Sequence, residues 1–160
     1  MKSLVVYSSQ SGNTKKLAEA LFETLAGEKE IHPIDEAPAP DGYDFIALGF
    51  WFMAGKPDPK SSKYLEKIGE KKLFLFATHG AGKGSDHAEN GMNQAKNLAL
   101  GATLVGRFDC QGCVNPKILE KVKAKPEPPP WIGDADSAAG RPDDSDLDEL
   151  KRMVSACFLK

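Results

Sequence analysis

Two rhythms of apolar residues alternate along this 160-residue chain. Short continuous runs, "SLVVYS" (3–8), "YDFIALGF" (43–50), "KLFLFATHG" (72–80) and "ATLVGRFDC" (102–110), have the length and β-rich character of buried strands. A further run, "EIHPI" (30–34), predicts a fifth strand whose Pro33 suits only a sheet edge. Between the strands the period lengthens. Leu17, Leu21 and Leu25 recur at i, i+4 and i+8, with Ala18 and Phe22 widening the stripe, so Thr14 to Leu25 predicts an amphipathic helix. Residues 60–69, carrying Tyr64, Leu65 and Ile68, and residues 86–100 predict two more. A last helix is predicted from about Ser145 as N-cap, with Asp146, Asp148 and Glu149 in its first turn.

Strands that alternate with helices through short connections imply a parallel sheet covered on both faces. The pattern predicts an α/β fold, a doubly wound five-stranded sheet forming a single domain over 1–160. Such domains bind ligands beyond the carboxyl ends of their strands. Four segments stand there: "SSQSGNT", "GFWFMAGKPD", "THGAGKGSD" and "CQGCVNP". All are rich in glycine, hydroxyl, amide or aromatic residues, and they should converge on one rim.

One stretch departs from the alternation. Doubly wound domains pass from last strand to last helix in a few residues, yet here an excursion occupies about 114–144. It begins with a predicted helix, "NPKILEKVKA", and continues as "KPEPPPWIGDADSAAGRPDD", whose prolines make it stiff and extended. Trp131 is its bulky anchor. A flap over the ligand, a docking surface for a partner and a loop pinned by Trp131 are the readings in order of preference.

Composition narrows the function classes. With 41% hydrophobic and 28% charged residues the chain reads as a soluble globular protein. A net charge of −2 lacks the basic excess of a nucleic-acid binder. The apolar run Leu4–Tyr7 is too short for a signal segment or a membrane span, which predicts a cytoplasmic protein that engages no membrane. Three cysteines, an odd number, argue against a disulfide scaffold.

The loop after the first strand carries the clearest chemistry. Ser9, Gln10, Ser11, Gly12, Asn13 and Thr14 lead directly into a helix, whose unpaired N–H groups and partial positive charge attract a phosphate. The hydroxyls of Ser9, Ser11 and Thr14 and the Asn13 amide add donors, and backbone amides from Gln10 to Thr14 can form a nest. The plainer alternative is an ordinary turn with Thr14 as N-cap. In the aromatic loop, Phe50, Trp51 and Phe52 cannot all enter one core, because alternate residues face opposite ways. At least one should face the rim, Trp51 foremost, then Phe50 or Phe52.

"THGAGKGSD" fits neither the triphosphate loop nor the dinucleotide pattern. It reads as a turn in which His79 either faces solvent or meets a ligand. Cys110-Gln111-Gly112-Cys113 has no second ligand pair at metal spacing, and its cysteines follow a strand rather than open a helix, so packing is favoured over zinc or dithiol chemistry.

Ser9-Gln10-Ser11-Gly12-Asn13-Thr14 resembles the phosphate loop of the flavodoxin family, [Ser/Thr]-x-[Ser/Thr]-Gly-x-Thr after the first strand. Gly49-Phe50-Trp51, Thr78-His79-Gly80, Cys110-Gln111-Gly112 and "RPDDSDLDEL" (141–150) extend the resemblance, to a subgroup with GFW and CQG loops, over nearly the whole chain. It implies a flavodoxin-like strand order of 2-1-3-4-5 and a bound FMN, its phosphate in the first loop and its ring between the loops after strands three and four. On that resemblance Gly55 lets a peptide group meet flavin N5, backbone from His79 through Gly80 and Ala81 to Gly82 meets the pyrimidine edge, and Cys110, Gln111 and Gly112 line the flavin.

The function expected is electron transfer between redox partner proteins through a transient interface, by a monomer or weak dimer. No proton-transfer pair is apparent near these loops and no nicotinamide fingerprint is present. The alternative is an FMN-dependent reductase or oxidase, or an accessory flavoprotein subunit, acting on a quinone or tetrapyrrole-type substrate. Flavodoxin-like proteins of protoporphyrinogen oxidation and of bile-pigment reduction resemble that case.

Overall fold

The computed structural model describes residues 1–81, 84–113, 116–127, 138 and 140–158. Strand β1 (Lys2–Tyr7) leads to helix α1 (Asn13–Thr24), strand β2 (Glu28–Pro33) and a 3₁₀ turn (Ile34–Glu36). Strand β3 (Phe45–Met53) folds back on the two-residue β4 (Lys56–Pro57), followed by α2 (Pro59–Leu65), β5 (Lys72–His79), α3 (Asp86–Leu98) and β6 (Thr103–Gln111). Helices α4 (Pro116–Lys123) and α5 (Asp144–Cys157) complete the described elements.

The sheet runs β2-β1-β3-β5-β6, its five long strands parallel, which is the predicted doubly wound order. Pro33 sits on the edge strand β2, where a missing N–H costs no ladder bond. One strand was not predicted. β4 pairs antiparallel with the end of β3, joining Met53 to Lys56 across a two-residue turn. Both turn residues, Ala54 (φ 52°) and Gly55 (φ 78°), have left-handed backbone, the requirement of a primed hairpin turn.

Strand alternation divides the core in two. Leu4, Val6, Ile46, Leu48, Phe50, Leu73, Leu75 and Ala77 face α2 and α3, meeting Tyr64, Leu65, Met92 and Ala95. Val5, Phe45, Ala47, Phe74, Phe76, Phe108 and Cys110 face α1 and α5, meeting Leu17, Leu21, Leu150 and Val154. Gly49 is required where β3 passes Phe76, since a Cβ there would come within 2.1 Å of the ring.

Helix ends shift from the expected places for local reasons. α2 stops at Leu65, and Lys67 and Ile68 continue only as tight turns onto Tyr64 and Leu65. α5 is capped by Asp143, not Ser145: Asp143 accepts from the Asp146 amide while the Asp146 carboxylate accepts from the Asp143 amide, a reciprocal capping box. Asp146 also binds Arg141 at 3.0 Å. No helix among the described residues is long and apolar enough to cross a membrane.

Candidate cofactor site

A cavity of about 540 Å³ opens at the carboxyl ends of β1, β3, β5 and β6. Its lining comprises Ser9, Gln10, Ser11, Asn13 and Thr14 from the first loop, Trp51, Phe52, Ala54 and Gly55 from the β3–β4 hairpin, Thr78, His79 and Gly80 from β5, and His87, Gly112 and Cys113. Three of the four segments expected to converge on one rim therefore supply most of it, and the fourth contributes Gly112 and Cys113.

The first loop is built around its own backbone. Gly12, at φ 92°, stands at the N-cap of α1 and donates its amide to Ser9 Oγ at 3.0 Å. No side chain caps α1, and no acidic residue occupies its first turn. The other helices with described caps differ: Asp58, Ser85 and Asp143 accept from the first turns of α2, α3 and α5. The first turn of α1 thus keeps backbone donors and the positive end of its dipole for a ligand.

Several side chains expected to donate outward are engaged within the protein. The Asn13 amide nitrogen donates to the Cys113 carbonyl at 3.0 Å. The buried Thr14 hydroxyl lies 2.9 Å from that of Thr78 and 3.5 Å from the Phe50 carbonyl. These contacts lock the start of α1 to β3, β5 and the chain leaving β6. Gly112 is needed at that junction, because a Cβ would approach Asn13 Nδ2 to 2.8 Å and Thr78 Cβ to 3.2 Å.

The aromatic wall follows from β3 continuing through Met53. Phe50 and Phe52 share a face and stack 5.9 Å apart, 5° from parallel. Phe50 is wholly buried and lies outside the cavity, a correction to its expected role: it shares the face of Phe52 but stands two residues earlier in β3, deeper in the core. Phe52 ends the stack at the cavity, seated over Gly91, where a Cβ would come within 2.2 Å of its ring. Trp51 points the other way, half-buried, between this cavity and a smaller groove lined by Tyr7, Pro33, Ile34 and Lys60.

His79 does not face solvent. Its side chain is entirely buried, with Nε2 2.7 Å from Asp109 Oδ2, and its ring tilts against Phe52 at 4.9 Å. Nδ1 has no hydrogen-bond partner among the described residues. β5 and β6 thus bring together two titratable side chains 30 positions apart in the chain. His87, from the first turn of α3, lies 5.6 Å from the Phe52 ring, and burial, then the nearby His79, pushes its imidazole below the usual value. Ala54 and Cys113 belong to segments expected at the rim without being singled out as contacts, and His87 lies outside all four segments. The signal for His87 was its place two residues past the cap Ser85.

Other expected contacts lie elsewhere. Ala81 and Gln111 are buried outside the lining, and Cys110 packs in the core beneath α1 and α5. Gly82, Lys83 and Trp131 lie outside the described residues. Among the described residues no group of three His, Cys, Asp or Glu side chains is placed to hold a metal ion.

Comparison with known proteins agrees with the geometry. The model of a flavodoxin domain family matches residues 4–155. A flavodoxin-like domain-containing protein BilS of Clostridioides difficile is 36% identical over 130 residues, spanning 78% of this chain and 72% of that protein. BilS of Clostridium symbiosum is 28% identical over 96% of this chain and 94% of that protein. Among solved structures, oxidised flavodoxin 2 from Bacillus cereus shares the fold with a TM-score of 0.65 at 18% identity, covering 99% of both chains. A Lactobacillus acidophilus flavoprotein solved in complex with FMN shares it with a TM-score of 0.55 at 19% identity, over 68% of this chain and 92% of that one. The protein belongs to the flavodoxin family.

Proposed function

We propose that this protein binds FMN in the cavity at the carboxyl ends of its strands and carries electrons between redox partner proteins. The observation that carries this reading is that the uncapped, acid-free first turn of α1 opens on the same cavity as the flat ring of Trp51. The cavity volume lies within the range of small-molecule sites. Backbone amides of the 9–13 loop with the Ser9 and Ser11 hydroxyls would hold the phosphate, Trp51 and Phe52 would flank the ring, and the Thr78–Gly80 backbone would meet its polar edge. FMN supplies the redox chemistry once bound, and the protein contributes position and electrostatics. Partners would meet the open rim through a small, transient interface.

A second reading is an FMN-dependent reductase or oxidase, or an accessory subunit of one, and the His79–Asp109 pair favours it. The carrier reading stands ahead because the His79 side chain is fully buried and presents no atom to a substrate. Incubating the purified, FMN-loaded protein with NADH or NADPH separates the two. A carrier shows no sustained oxidation until a reductase is added; continued turnover by the protein alone would overturn the carrier assignment.

A further inference from the structure

Both arms of the cavity hang on one buried carboxylate. Asp58 is 2% exposed, and each of its oxygens takes two donors. Oδ1 accepts from Ser8 Oγ at 2.9 Å and from the Ser61 amide at 3.1 Å. Oδ2 accepts from Ser61 Oγ at 2.8 Å and from the Trp51 amide at 3.4 Å. The Asp58 amide returns a bond to the Trp51 carbonyl at 3.1 Å. Ser8 is the residue immediately before the phosphate loop, and Trp51 is the cavity wall.

The geometry points to Asp58 as the positioning residue that sets the distance between phosphate loop and aromatic wall. This assignment rests on the FMN reading above. A helix cap requires only the bond from Ser61; the bonds to Ser8 and Trp51 exceed that need and span β1 and β3. A buried charge is tolerated where hydrogen bonds satisfy it, and four donors on two oxygens meet that condition. The carboxylate is the group suited to the task. An amide would turn a donor toward two of the four donors, and a serine would keep the cap but fall short of Ser8 and Trp51.

The decisive variant is Asp58→Ser, which retains a good N-cap for α2 while cutting both bridges. It is made in a Trp131→Phe background, so that Trp51 is the sole indole. Emission of Trp51 in the FMN-free protein should shift to the red and become more accessible to acrylamide. FMN affinity should fall at least about tenfold, the scale of one lost hydrogen bond to a charged group. Ser8→Ala, which severs only the tie to the phosphate loop, should lower the ratio of FMN to riboflavin affinity and leave riboflavin binding near that of the parent.

Parent-like Trp51 emission and FMN affinity within about twofold in folded Asp58→Ser would reduce Asp58 to a helix cap and overturn the proposal. Should Asp58→Ser not fold, an unchanged affinity ratio in Ser8→Ala overturns it equally. If the parent itself takes no FMN, the functional reading falls, and Trp51 emission alone decides the positioning role.

Discussion

The hydroxyls of Thr14 and Thr78 lie 2.9 Å apart in the interior, one in the first turn of α1 and the other one residue from the end of β5. Sixty-four positions separate them in the chain, and their contact fixes α1 against the strand that carries His79. Replacing Thr14 with valine keeps the shape and strands the Thr78 hydroxyl, which should cost about 1–3 kcal/mol. The double variant Thr14→Val, Thr78→Val leaves no orphan and should lose less than the sum of the single changes. Urea denaturation of the four proteins checks this; strict additivity would contradict it.

Gly91 is the floor beneath Phe52. Alanine is the better helix former, yet its methyl would meet the Phe52 ring at 2.2 Å. Gly91→Ala should therefore destabilise by about 1–3 kcal/mol as an overpacked core does, and displace the wall of the cavity. Phe52→Leu in the same chain should restore part of the loss. Thermal denaturation with and without the second change distinguishes crowding from a helix effect, since propensity alone would raise stability.

His87 should make the protein acid-sensitive. Burial holds its folded imidazole below the unfolded value of 6.5, so below that value the unfolded chain binds more protons than the folded one. Its contribution is complete above about pH 6.5 and declines as pH falls through that value toward the folded one. Proton NMR should give His87 a midpoint under 6.5. His87→Gln should flatten the stability profile in that window, whereas an unchanged slope would show that another group sets it.

Ala54 is the one non-glycine residue with left-handed backbone among the described residues. The first position of this hairpin turn favours Asn or Gly, and an alanine there costs roughly 1 kcal/mol. Ala54→Asn should raise the midpoint of thermal unfolding by about 2–4 °C. A lower midpoint would mean that the alanine methyl packs against something the asparagine cannot replace.

Much of this architecture was legible in the sequence because the physics was local. Runs such as "FIALGF" and "KLFLFATH" are buried on both faces and read as strands without a partner in view. The turn from β1 into α1 was legible because its glycine, hydroxyls and following helix are contiguous. The corrections share a different origin. Phe50 was a candidate for the rim, but β3 extends three residues further, which leaves Phe50 in the core and puts Phe52, on the same face, at the cavity. The hairpin that extends it carries "AG", not the Asn-Gly or Asp-Gly that marks such turns. Asp143 displaced Ser145 as cap because Asp146 lies three residues on and reciprocates. The His79–Asp109 pair, the Thr14–Thr78 contact and the fourfold bonding of Asp58 arise only when strands align, and no spacing in the chain announces them.

In the proposed FMN complex the first loop holds the phosphate while Trp51 and the Thr78–Gly80 turn receive the attached ring. Titrating the FMN-free protein with FMN and, separately, with riboflavin, and following flavin fluorescence, measures both halves at once. FMN should bind at micromolar concentration or tighter, with riboflavin weaker by roughly a hundredfold, the contribution of a phosphate held by several backbone amides. Equal affinity for the two, or no uptake of either by folded protein, would contradict it.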